Sequence, residues 1–163
     1  MNWKSREIRK PNKSKVEWLK IGEIGKPAVI LGVLRNGSWV VDTCDGLIDL
    51  KDDKALTFVL PILNSSMYEF TNKIDNSKCS SEISNWIEFP LQELVVYAIE
   101  HGGGYWAEQA LPLVLEINIK KESLKLVIQG LKYIEKDKFN DQKFRQKIFV
   151  YRNKFDDLLN TIE

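Results

Sequence analysis

Apolar residues recur at helical spacing through residues 86–116, WIEFPLQELVVYAIEHGGGYWAEQALPLVLE, on either side of three consecutive glycines. Leu91, Leu94, Val95 and Ala98 fall on one face of a first helix, and Pro90 sits where a first turn tolerates a residue without an N–H. Gly102, Gly103 and Gly104 permit positive φ, so the chain can leave that helix through a tight cap and reverse. In the second helix Trp106, Ala110, Leu113, Val114 and Ile117 lie on one side, which predicts an antiparallel helical hairpin. Pro112 removes one helical hydrogen bond and predicts a bend there, or a later start for the second helix.

Two further helices follow. Leu124, Val127, Ile128, Leu131 and Ile134 mark one, despite Gly130 within it. Phe144, Ile148, Tyr151, Phe155, Leu158 and Ile162 alternate spacings of four and three, an a/d stripe that closes a bundle or faces a second copy of the same helix in a homodimer.

The period changes upstream. From Val16 to Leu63 the apolar runs are short: VEWLKI, PAVILGVL, SWVVDT, GLIDL and LTFVLPIL. Asn36-Gly37 and Asp45-Gly46 separate three of them, and both dipeptides are hairpin signals, so residues 16–63 are expected to form an antiparallel meander. The run around Leu31 lacks alternation, which predicts burial on both faces, and Pro61 makes the last run an edge strand or a helix end. Residues 64–85 are rich in Ser, Asn and Thr and predict a polar connection with one helical turn near Tyr68 to Ile74. Residues 1–15 are basic and polar and predict a mobile arm. The expected class is α+β in one domain: a small N-terminal antiparallel meander, then a C-terminal antiparallel bundle of about four helices.

At 163 residues and 44% hydrophobic content the chain can bury a real core. It has no long apolar run of membrane-spanning type and no signal-like N-terminus, so a cytoplasmic protein is expected, with Cys44 and Cys79 reduced. The net charge of +1 conceals segregation. Residues 1–20 hold seven Lys or Arg against two Glu, residues 21–116 hold six against fourteen acidic residues, and residues 117–163 hold eleven against seven. The acidic middle suits a basic protein partner, with Asp42, Asp45, Asp49, Asp52, Asp53, Glu100 and Glu108 as the candidate contacts.

Signals for chemistry are sparse. Asp42, Asp49 and Lys51 in VVDTCDGLIDLK resemble the acidic-x-Lys core of PD-(D/E)xK nucleases, in which the carboxylates hold a divalent metal and the lysine steadies the attacking water. That alternative needs Asp49 and Lys51 on one strand face. His101, the only histidine, ends a helix, where its charge complements the dipole. There is no Cys-x-x-Cys, no phosphate-binding glycine loop after a strand, and Cys44 and Gly46 occupy positions an EF-hand needs for ligands, so no metal or cofactor is expected. A second alternative is nucleic-acid binding through Lys4, Arg6, Arg9, Lys10, Lys13 and Lys15, with Trp3 and Trp18 available to stack on bases.

The segment Tyr105-Trp106-Ala107-Glu108-Gln109-Ala110-Leu111, following a helix and a glycine turn, resembles small bacterial toxin-immunity and HEAT-like helical proteins over about thirty residues. The resemblance implies a binding protein that occludes a partner and has no catalytic residue of its own. An acidic centre agrees with it, since many toxins neutralised by such proteins are basic nucleases.

Overall fold

A computed structural model describes the chain except residues 1, 2, 10–13, 26, 80–82, 84 and 163, and except the side chains of Asp53, Met67 and Cys79. The fold is α+β, an N-terminal antiparallel sheet followed by helices, and it divides into two compact units, residues 1–90 and 91–163.

The sheet is the predicted meander with one more strand. β1 (Lys4–Glu7), β2 (Lys15–Ile24), β3 (Val29–Leu34), β4 (Trp39–Thr43) and β5 (Gly46–Asp49) lie in sequence order, each antiparallel to the next. Both dipeptide signals make their turns, Gly37 at φ 83° and Gly46 at φ 120°, a region only glycine enters without strain. Leu31, Gly32 and Val33 are buried in succession, as the absence of alternation predicts. Trp18, Val40 and Leu47 form a core cluster flanked by Ile8, Val16, Ile30 and Leu34. Gly32 lies under the Trp18 indole, where no Cβ would fit.

The predicted mobile arm is corrected. Residues 4–7 pair with β2 in the register Lys4 to Trp18 and Glu7 to Lys15, and just beyond them Ile8 bridges Leu47 while the Arg9 N–H donates to the Leu47 carbonyl at 2.8 Å. The sheet therefore curls until its first and last strands meet. Arg6 explains why a charged segment orders itself: its Nε lies 2.6 Å from Asp42 Oδ1 and one terminal nitrogen donates to the Thr43 carbonyl at 2.7 Å. Pairing and backbone hydrogen bonds supply what apolar content could not.

The run LTFVLPIL is helical, not a strand. A 3₁₀ turn (Asp53–Ala55), the short helix α1 (Leu56–Val59) and a second 3₁₀ turn (Leu60–Asn64) follow one another, and Pro61 enters in the first turn of the last, where its missing N–H is harmless. The polar connection carries a full helix, α2 (Met67–Cys79), in place of a single turn. Among its described side chains Phe70 and Ile74, four apart, are buried, and so narrow an apolar stripe within Ser and Asn residues hides the helix from periodicity alone. Trp86, Ile87 and Phe89 do not begin a helix either. Trp39 Nε1 donates to the Ile87 carbonyl at 2.8 Å, and the Trp39 ring meets Trp86 at 5.6 Å and Phe89 at 5.2 Å, so this extended stretch covers the sheet.

The second unit is the predicted bundle of four helices: α3 (Leu91–His101), α4 (Gly103–Glu116), α5 (Lys121–Lys136) and α6 (Gln142–Thr161). α3 contacts α4 and α5, and α6 contacts α5. Leu94, Val95, Ala98, Ala107, Ala110 and Leu111 are buried on the α3 and α4 faces, the alanines allowing close approach. Gly130 sits where a Cβ would come within 2.8 Å of Ile99 Cγ2, which explains a glycine inside α5. Pro112 lies within a continuous α4, and Ile117 caps that helix in extended conformation instead of lying on its face. Asp141 caps α6, its side chain accepting from the Phe144 N–H at 2.8 Å. Ile148 and Phe155, the centre of the a/d stripe, are fully buried within this chain, and Phe144, Tyr151, Leu158 and Ile162 of the same stripe are half-buried.

Candidate functional site

The acidic candidates fall on both units, five on the sheet unit and Glu100 and Glu108 on the helical one. Several are held within the fold. Asp42, on β4, is tied to Arg6, and Asp45 Oδ2 in the following turn lies 3.5 Å from Arg9. Glu108 pairs with Lys147 of α6, and Glu100 Oε2 is 3.8 Å from His101 Nε2 at the end of α3, where His101 also faces the Tyr97 ring.

Asp49 and Asp52 are placed differently. Asp49 ends β5 and its Oδ1 accepts from the Lys51 N–H at 2.9 Å; Asp52 Oδ1 accepts from the Lys54 N–H at 3.0 Å. Each carboxylate is thus oriented by one oxygen in a local turn, a common use of Asp, with the other oxygen turned away from that bond. Both line a cleft of about 230 Å³ with Arg9, Ile48, Lys54 and Phe58. Phe58 is exposed, although it comes from the apolar run that supplies the buried Leu56 and Val59. Sequence reasoning did not single it out, yet helical spacing in LTFV, had it been assumed, turns Phe58 away from those two residues. Asp53 begins the 3₁₀ turn next to this cleft.

The nuclease alternative loses its geometry. β5 ends at Asp49 and Lys51 lies in the turn beyond it, so the two do not share a strand face, and the Asp42 carboxylate is engaged by Arg6. Among the described residues no three His, Cys, Asp or Glu side chains are grouped to hold a metal ion. Cys44 is exposed in the β4–β5 turn, and the Cys79 side chain lies outside the described residues.

The basic N-terminal residues are also occupied in part. Arg6 and Arg9 contact acidic groups, Trp18 is buried, and Trp3 lies under the Arg35 guanidinium at 4.3 Å. Lys4 and Lys15 sit on paired strands, and Lys10 and Lys13 lie outside the described residues. Arg6 and Arg9 are therefore not available as a free phosphate-binding tract.

Elsewhere on the sheet unit, Glu23 has its carboxyl held below the usual carboxylate range, first by a hydrogen bond from Lys20 Nζ at 2.9 Å and by the charges of Lys20 and Lys73. A lowered folded-state value means that its contribution to stability is present above the ordinary carboxylate range and is lost as pH falls through the lowered value. Lys20→Ala should move the Glu23 titration midpoint, followed by carboxyl NMR, up toward the unperturbed range; an unmoved midpoint would assign the shift elsewhere.

A second, larger cleft of about 710 Å³ belongs to the helical unit, lined by Glu100, His101, Gln129, Lys132, Tyr133 and Lys136 among others. Among the described residues no helix is long and apolar enough to cross a membrane. No protein-family model, curated protein or solved structure matches this chain.

Proposed function

We propose that this chain is an intracellular protein-binding protein, an immunity-type inhibitor that occludes a basic partner through Asp49 and Asp52, which share a cleft of its sheet unit with Arg9 and Lys54. One observation carries the reading: Asp49 and Asp52, each oriented by a backbone N–H, flank a cleft beside the exposed ring of Phe58. Carboxylates already held in place give up little conformational freedom on binding, and an aromatic surface next to them accepts the flat face of a guanidinium. An arginine of the partner could thus meet both charge and ring in one pocket, the arrangement in which a single side chain carries much of the binding energy. Asp45 extends the acidic rim toward the β4–β5 turn, whereas Asp42 serves the fold through Arg6.

The test compares variants on one partner. The wild-type chain should retain a single stoichiometric basic protein at low salt and release it as salt rises. With that protein purified, Asp49→Lys combined with Asp52→Lys should weaken binding roughly 10- to 100-fold, mostly through a slower association rate. Glu100→Lys combined with Glu108→Lys should leave affinity within about twofold, because neither residue lines the cleft that holds Asp49 and Asp52. Equal affinity for the wild type and the Asp49/Asp52 pair would place the interface elsewhere.

A further inference from the structure

α5 carries a row of lysines. Lys121, Lys125, Lys132 and Lys136 stand at i, i+4, i+11 and i+15, which at α-helical geometry puts all four within about 60° of arc along about 22 Å of axis. Lys125, Lys132 and Lys136 are exposed, and among the described residues none of the four forms an ion pair. The adjoining face of the same helix supplies Leu124, Val127, Ile128 and Leu131 to the bundle core, so the helix that carries the row is held by packing. Nearby carboxylates do not outnumber it: Glu135 is engaged by Arg152 at 2.8 Å, which leaves Glu122, Glu100 and Asp137 against four lysines.

Beside the row runs the large cleft of the helical unit. Lys132 and Lys136 form part of its wall together with Gln129 and Tyr133, and Tyr133 is 81% exposed. An aromatic ring so far out of the core gains nothing from folding, while a flat exposed ring next to spaced cations offers a surface on which an unpaired base stacks as its phosphates meet the lysines. Gln129 adds donor and acceptor groups at the same wall.

We infer that the α5 face binds single-stranded nucleic acid, with Lys121, Lys125, Lys132 and Lys136 contacting successive phosphates and Tyr133 stacking on a base in the adjoining cleft. This site shares no residue with the cleft that holds Asp49 and Asp52. It returns nucleic-acid binding to the chain at a different place from the N-terminal segment, where Arg6 and Arg9 already face carboxylates.

Fluorescence anisotropy with labelled oligo-dT and oligo-U of about twelve nucleotides tests it across a salt series. A plot of log K against log salt should have a slope of about −2 to −3, the value for three to four phosphates of a single strand. Lys125→Ala with Lys132→Ala should weaken binding at low salt and make that slope shallower by roughly 1.4. Tyr133→Ala should weaken binding about 5- to 100-fold while leaving the slope unchanged, a split that non-specific charge attraction would not produce. Lys4→Ala with Lys15→Ala, on β1 and β2 and outside the α5 row, should change nothing. The inference is overturned if the single strand does not bind at low salt, if the α5 lysine variant binds like the wild type, or if a duplex of equal length or vesicles containing phosphatidylserine are preferred. All these side chains except Lys121 are exposed, so the variants should keep the wild-type unfolding midpoint.

Discussion

Phe155→Ala should destabilise the helical unit by about 3–5 kcal/mol, the cost of emptying a fully buried aromatic site. Phe155 is 0% exposed and its ring meets Tyr151 at 5.8 Å, in a unit where Ile148, Leu124, Val127 and Leu131 are fully buried too. With a urea m-value of about 2 kcal/mol/M, the midpoint followed by helical circular dichroism should fall by roughly 1.5–2.5 M. Amide exchange in α5 and α6 should accelerate with it, since both helices share that core. Phe139→Ala is the internal control. Phe139 is 100% exposed, and its removal should shift stability by less than about 0.5 kcal/mol. If the two phenylalanine variants unfold at the same urea concentration, the α6 stripe does not close the bundle.

Gly32→Ala should be comparably damaging to the sheet unit, at about 3 kcal/mol, although it adds one methyl group. A Cβ on Gly32 would overlap the Trp18 ring and approach the Leu19 carbonyl oxygen to 2.7 Å. Trp18 cannot easily give way, because Val40 and Leu47 fill the space behind it and Ile8, Val16, Ile30 and Leu34 close its sides. Gly22→Ala in the neighbouring strand meets only Lys73 Cδ at 3.8 Å, an ordinary contact with a flexible side chain, and should be within about 1 kcal/mol of the wild type. Thermal unfolding of the two variants separates the cases. Shortening the obstructing ring should restore part of the loss, so Gly32→Ala with Trp18→Leu should be less destabilised than the two single changes added together. Strict additivity would show that Gly32 is required for some reason other than the ring above it.

Loss of the Trp18 site also bears on the proposed binding cleft. Leu47 belongs to the cluster that Trp18 completes, and Asp49 of that cleft follows it on β5. Asp49 and Asp52 were legible in the sequence as acidic residues near a hairpin, but nothing there separates them from Asp42. Only the meeting of β1 with β5 does so, by bringing Arg6 to Asp42 while leaving Asp49 and Asp52 to backbone N–H groups. The lysine row on α5 was present as helical spacing all along. Its significance depends on which other charges lie nearby, and Glu135 is removed from consideration only by Arg152, seventeen residues away on α6.

Local physics determined much of this protein from sequence alone. Turns at Asn36-Gly37 and Asp45-Gly46, the consecutive burial around Leu31, the helical periodicity of α3 to α6 and hence the α+β class all follow from φ preferences and hydrophobic period, which act within a few residues. Tertiary structure alone decided the rest. Residues 4–7 became a strand because of an arginine–aspartate pair thirty-six positions apart, and residues 86–89 stayed extended because their aromatic rings found Trp39. α2 formed where Phe70, beside Phe89 at 4.9 Å, had somewhere apolar to be buried. In each case the free energy comes from a partner distant in the chain, and a window of neighbouring residues contains no record of that partner.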